Sequence, residues 1–285
     1  MTLTADQIKG RIKQLARQNS ADARVLIRIY MMERFLERAA VSGYSDNLII
    51  KGGILVTSMV GIAMRSTMDI DTSVHNINLS DEDALIMIKE ISSIDLGDGV
   101  IFRIKETSRI MDEMDYPGVR ITMDAIMEKM ITPIKIDIST GDVITPREIK
   151  YSYKLMLEDR CIDLWSYNLE TILAEKLQTV LARGITNTRM RDMYDIHILL
   201  AGYEDKVDTI LLKKAFKDTC TKRGSSNLDE QGEEILITIA NDTALASMWL
   251  SYQSKFSYAN GITYDDVVRS VSILYRMCSL SDGDE

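Results

Sequence analysis

Along the chain the apolar positions change their period twice, and each change marks a different kind of element. Thr4 and Gln7 have the spacing of a capping box and open a predicted first helix. Ser20 with Asp22 fits the cap of a second helix, ADARVLIRIYMMERFLERAA, in which Val25, Ile29, Met32, Phe35 or Leu36, and Ala39 recur at helical spacing. Both helices are expected to pack on whatever follows. From 48 to 138 the pattern becomes one of short strands and helices. NLII reads as a strand, the apolar ILVTSMVGIA after Gly52 and Gly53 as a helix, TMDIDTSV as an alternating strand, and SDEDALIMIKEIS as a helix with an acidic first turn. Three further strands, VIFRIKETSRI, GVRITMDAIM and ITPIKIDIST, are separated by acidic or Gly/Pro-bearing turns.

Beyond Pro146 the period returns to that of helices. The Tyr-rich YSYKLML reads as a connection, and the helices NLETILAEKLQTVLAR, TRMRDMYDIHILLAG, a Lys-rich one near 206–222 and two or three more to about 280 follow. All three prolines of the chain lie between 117 and 146, so none interrupts these helices. The fold class is α/β (α+β): a mixed sheet flanked by helices over 1–160, and a mostly α-helical domain over 161–285, with a soft boundary near 155–165.

Composition excludes several classes of function. A 46% hydrophobic and 27% charged chain of 285 residues is ordinary for a globular protein. It has no apolar run of membrane-spanning length, and MTLTADQIKGRIK lacks the apolar core of a secretory signal, which suggests a cytoplasmic protein without membrane contact. Cys161, Cys220 and Cys278 are far apart with no C-x-x-C spacing, and His75 and His197 are the whole imidazole complement, so any metal here should be a hard, oxygen-ligated one such as magnesium. The net charge of -9 is unevenly distributed: residues 1–40 carry eight Lys or Arg against four acids, and residues 176–223 carry ten against six. Two basic helical regions flanking an acidic centre are compatible with RNA, although solvated helix faces explain them equally well.

The chemistry centres on IKGGILVTSMVGIAMRSTMDIDTSV, residues 50–74. Side chains two apart on a strand project to one face, so Asp69 and Asp71 should stand together while Met68, Ile70 and Thr72 face the other way. Gathering ionised carboxylates is costly unless something positive holds them, and a divalent cation does so. The glycines upstream leave backbone N–H groups near a helix start, a good place for phosphate. Asp137, in the apolar strand KIDIS, supplies a third carboxylate if that strand lies beside the first, and the three could hold one or two magnesium ions. Singly, each aspartate would cap a strand end or pair with Arg65 or Lys135. Further on, Leu169, Ile172, Leu173, Leu177, Val180 and Leu181 form one helical stripe with Lys176 inside it, a lysine that needs an anionic partner: a structural acid or a nucleotide phosphate. On the next helix Asp192 and Asp195 share a core-facing side, and Arg191 with Asp195 has i,i+4 spacing, which marks Asp195 as the structural member.

Taken together these motifs carry a family resemblance. G-G followed by D-I-D resembles the nucleotidyltransferase superfamily motif, and K-G-G…R-S-T-M-D-I-D, with L-A-E-K-L at 173–177 and R-D-M-Y-D-I at 191–196, is similar to the AbiEii family of abortive-infection nucleotidyltransferase toxins, over roughly residues 48–200. The resemblance implies a magnesium-dependent transfer of a nucleoside monophosphate from an NTP, GTP or a pyrimidine nucleotide, onto a hydroxyl acceptor. It implies that Asp69 and Asp71, with Asp137, hold metal; that Gly52, Gly53, Arg65, Ser66 and Thr67 bind nucleotide; that Lys176 neutralises phosphate charge; and that Asp192 or Asp137 orients or deprotonates the acceptor, with the second domain completing the site. It further implies a toxin of a toxin–antitoxin, phage-defence system acting on the 3′ end of tRNA, with a DNA-binding antitoxin that need not touch it. Two other readings stay open: a nucleotidyltransferase acting on a small molecule such as an antibiotic, or on a protein side chain, and a non-catalytic helical interaction protein.

Overall fold

Residues 3–75, 80–110 and 118–279 are described by a computed structural model of the chain, and the acidic turn expected between the strands at 100–110 and 118–127 lies outside them. The chain divides into two compact units, residues 1–142 with 149–166, and residues 143–148 with 167–285.

In the first unit, Thr4 and Gln7 cap α1 (Ala5–Gln18) in the expected box. For α2 (Ala23–Val41) the cap is Asp22, whose carboxylate accepts the Arg24 N–H; Ser20 instead takes a left-handed turn in the link. A seven-stranded mixed sheet follows, built from β1 (Leu48–Lys51), β2 (Ile70–Val74), β3 (Ile101–Ile110), β4 (Gly118–Met127), β5 (Met130–Thr140), β6 (Ile149–Lys154) and β7 (Cys161–Ser166) in the order β3-β4-β5-β2-β1-β7-β6. β2 runs parallel to β5 and β1 parallel to β7, and the other neighbours are antiparallel. α3 (Gly52–Val60) joins β1 to β2, and α4 (Asp81–Ser93), opened by a Ser80–Asp83 capping box, precedes β3.

Two expectations change here. YSYKLML is not a connection: its first half is β6, which with β7 extends the sheet beyond β1. β6 mixes apolar and charged side chains because it is an edge strand, which needs no continuous apolar face. Secondly, α2 is no one-sided helix with a solvated charged face. Glu33, Arg34, Glu37 and Arg38 are all buried with the apolar residues between Ile29 and Ala39. The two arginines are paired, Arg34 with Glu37 at 2.7 Å and Glu158 at 2.8 Å and Arg38 bidentately with Asp98 at 2.8 Å, while Glu33 accepts from the Met156 N–H at 2.9 Å. Such pairing is what permits a buried charged turn.

The second unit is helical: α5 (Leu169–Arg183), α6 (Met190–Tyr203), α7 (Thr209–Lys222), α8 (Leu228–Asn241), α9 (Thr243–Lys255) and α10 (Tyr264–Ser279). Asn168, Asp208 and Asp242 cap α5, α7 and α9 through side-chain oxygens. The fully buried Trp249 stacks with Tyr194 and Tyr252, which fastens α9 onto α6. No helix among the described residues is long and apolar enough to cross a membrane.

Candidate active site

Gly52 opens α3 with φ of +56°, a left-handed conformation that favours glycine, and any Cβ there would run into the carboxylate of Asp71. A Cβ on Gly53 would in turn meet the hydroxyl of Thr67 and the guanidinium of Arg65. The glycine pair is therefore required by close approach to the aspartate motif. The Gly53 N–H donates to Asp71 Oδ2 at 2.9 Å, so the backbone donor expected to hold phosphate holds this carboxylate instead. Thr67 is buried, its hydroxyl bonded to the Asp69 carbonyl at 3.3 Å. Arg65 is buried too, its Nη1 on the Ser66 carbonyl at 2.6 Å. That position makes Arg65 a brace of the loop beneath the glycines, and Ser66 contributes its backbone to the same brace.

β2 begins only at Ile70, so Asp71 lies on the strand and Asp69 on its approach. Burial raises the Asp71 carboxyl above its ordinary range; the Gly53 bond and Lys51 pull it down, while the neighbouring Asp69 and Asp137 push it further up. Asp69 and Asp71 thus bring hard oxygen donors together, the donor type that suits a divalent ion of the magnesium kind.

The cross-strand register places four charged residues in one row. Lys51 on β1 is opposite Asp71, Asp71 is opposite Asp137 on β5, and Asp137 is opposite Arg120 on β4. Asp137 thus lies beside Asp71 as expected, but it does not join a three-carboxylate metal cage. Among the described residues no three acidic, histidine or cysteine side chains converge to hold a metal. Both Asp137 oxygens are taken by Arg120, Nε at 2.7 Å and Nη2 at 2.6 Å, rather than by Arg65 or Lys135. At the other end of the row Lys51 Nζ is 2.6 Å from Asp142, which also accepts from Ser139 at 2.5 Å. Burial opposes ionisation of Asp142, but Lys51, with the hydrogen bond from Ser139, holds its carboxyl down at about 2. Lys51, Arg120 and Asp142 belong to this surface and were not singled out by the sequence. The K before G-G was legible in the motif, whereas Arg120 becomes visible only through register.

In the second unit Lys176 is buried on α5, with Nζ 3.0 Å from Asp192 Oδ1 and 2.6 Å from Asp195 Oδ2 on α6. The lysine in the apolar stripe therefore has structural acids as partners, two of them, where a phosphate was also open. Asp195 is fully buried. Arg191, expected to pair with it, stacks its guanidinium over Phe256. Asp192 keeps Oδ2 buried without a hydrogen bond, although Arg189 Nε comes within 2.9 Å as an ion contact.

Comparison with known proteins agrees with the sequence motifs. Residues 34–270 match the family model described as the nucleotidyl transferase AbiEii toxin of a type IV toxin–antitoxin system. No curated protein matches. Among solved structures, JHP933 from Helicobacter pylori superposes with a TM-score of 0.50 at 18% identity, covering 90% of this chain and 91% of that one. A second chain from H. pylori, named as a candidate nucleotidyltransferase, gives a TM-score of 0.50 at 18% identity over 90% of this chain and 94% of its own. These likenesses are of fold.

Proposed function

We propose a reaction from the premise that this chain belongs to the AbiEii nucleotidyl transferase toxin family of type IV toxin–antitoxin systems and is a nucleotidyltransferase: it moves a nucleoside monophosphate from an NTP onto the 3′ end of tRNA. Family membership sets aside the non-catalytic reading of the sequence. The observation that carries the proposal is the clasp of Gly52 and Gly53 over Asp71, beside Asp69, because two glycines bring a backbone donor to a half-buried carboxylate.

Asp69 and Asp71 would hold the magnesium ion, which when bound offsets charge on the triphosphate. Thr67 and the glycine turn shape the phosphate end of the nucleotide site. In the transfer, the acceptor hydroxyl oxygen bonds to the α-phosphorus, the bond from that phosphorus to the pyrophosphate oxygen breaks, and pyrophosphate leaves. The hydroxyl proton goes to a carboxylate base; in the second unit Lys176 holds Asp192 in place through Oδ1, which suits that carboxylate to such a role. Asp137, both oxygens bonded, is left a positioning role. Such catalysis is chiefly alignment and electrostatic stabilisation. Blocking tRNA ends in the cytoplasm would stop translation, the route by which this toxin would act, and its cognate antitoxin would be a DNA-binding repressor that need not touch the enzyme.

The test incubates the protein with magnesium, total tRNA and each labelled NTP, with Asp69→Ala as control. Label on tRNA only with the unmutated protein is expected, and it names the nucleotide. NTP binding without label on tRNA would replace tRNA with another acceptor, a small molecule or a protein. Equal labelling by Asp69→Ala would overturn the role of the D-I-D pair.

A further inference from the structure

Arg120 belongs to none of the sequence motifs, yet the sheet brings it to the same row and the same face as Asp71 and Asp137. The flanking residues Val119, Ile121, Ile136 and Ile138 are buried on the opposite face, so the row projects from the face that carries the aspartates. A guanidinium has five N–H groups in a planar fork. Two of those on Arg120, at Nε and Nη2, bond to Asp137, the acceptor it has among the described residues, and three remain. Its side chain is 37% exposed and Asp137's is 17% exposed. An ion pair that open adds little to stability, so folding alone is a weak reason for it.

From this geometry, and resting on the nucleotidyl-transfer reading, we infer that Arg120 is a phosphate-binding residue of the nucleotide site, with Asp137 serving to aim it. The bidentate grip fixes the plane of the guanidinium and directs its free edge, Nη1 and the second Nη2 hydrogen, away from Asp137. Beside Asp69 and Asp71, an anionic ligand can approach only if positive charge accompanies it, and a guanidinium that never loses its proton is a permanent supply. This assigns Asp137 a purpose other than metal ligation: it trades a third metal ligand for a fixed cation. A merely neutralising Arg120, present to silence Asp137, would be dispensable once Asp137 is removed, which separates the two roles.

The experiment measures equilibrium binding of a non-hydrolysable NTP and of the matching nucleoside monophosphate, with magnesium, to the unmutated protein, Arg120→Ala, Arg120→Lys, Asp137→Ala and the double variant Arg120→Ala/Asp137→Ala, with folding checked by thermal melts. Arg120→Ala is expected to weaken NTP binding by roughly ten- to a hundredfold, the worth of charge-assisted hydrogen bonds, with a smaller loss for the monophosphate. Arg120→Lys, which keeps the charge but not the fork, should recover only part of it. The double variant should stay as weak as Arg120→Ala. Return of the double variant to unmutated NTP affinity would overturn the inference and leave the proposed reaction standing. Failure of the unmutated protein to bind any NTP would overturn that reaction and this inference with it.

Discussion

Lys176 shows how one residue can be legible in its need and illegible in its partner. Its place in an apolar stripe announces a buried cation that requires an anion. Which anion it meets depends on α6 packing against α5, and the answer is a pair of acids, one of them fully buried. Removing the ammonium would leave two carboxylates facing each other in the interior. Lys176→Ala should therefore destabilise the fold by about 3–5 kcal/mol, the cost of breaking a buried ion pair, as read in urea unfolding. Unchanged stability would mean that the two aspartates find another counterion. The variant is in consequence a poor test of chemistry, and Asp69, half-buried on the approach to β2, is the better one. Asp137 repeats the lesson, since its place in a strand was legible, whereas its position beside Asp71 and its bond to Arg120 depend on strand pairing.

Among the elements, caps and periods were readable because their causes are local. The Thr4–Gln7 box, the Ser80–Asp83 start and the stripe of α5 each involve residues within a turn or two of one another. β6 escaped notice because an edge strand is specified by its neighbour's free hydrogen-bonding groups rather than by its own alternation. Helix packing supplies a further test. Gly232 lies inside α8, where alanine would ordinarily stabilise a helix by about 1 kcal/mol. Here its Cβ would collide with the ring of Tyr275 on α10, whose hydroxyl is anchored to the Asp229 carbonyl at 2.8 Å. Gly232→Ala should thus destabilise by roughly 1–3 kcal/mol through overpacking, seen as a lower melting temperature. A higher one would show that Tyr275 yields.

For the molecule as a whole, stability should depend on pH through the interior of the first unit. Burial pushes the Glu33 carboxyl up to about 8, with the Met156 N–H and Arg34 only partly opposing it. The folded chain therefore keeps a proton on Glu33 that the unfolded chain releases near 4.5. A raised carboxyl costs nothing below the unfolded value, and stability falls as pH climbs from about 4.5 to about 8. Glu33→Gln keeps the Oε1 acceptor and removes the titration. It should flatten that fall and gain roughly a few kcal/mol at pH 8 relative to the unmutated protein. Denaturant midpoints at pH 5 and 8 for both proteins decide it, and parallel pH profiles would rule Glu33 out as the cause.

The amino-acid sequence by itself determined the order of elements through β5, the helical character of the second unit, the glycine pair, the spacing of Asp69 and Asp71, and the buried lysine. These follow from contacts between near neighbours in the chain. Only the tertiary structure decided that β6 and β7 complete the sheet, that the charges of α2 are interior, that Gly53 serves Asp71, and that Asp137 answers to Arg120. Each of these joins residues far apart in sequence or on different elements. A carboxylate's partner is fixed by strand register and helix packing, and single-residue patterns carry no record of either.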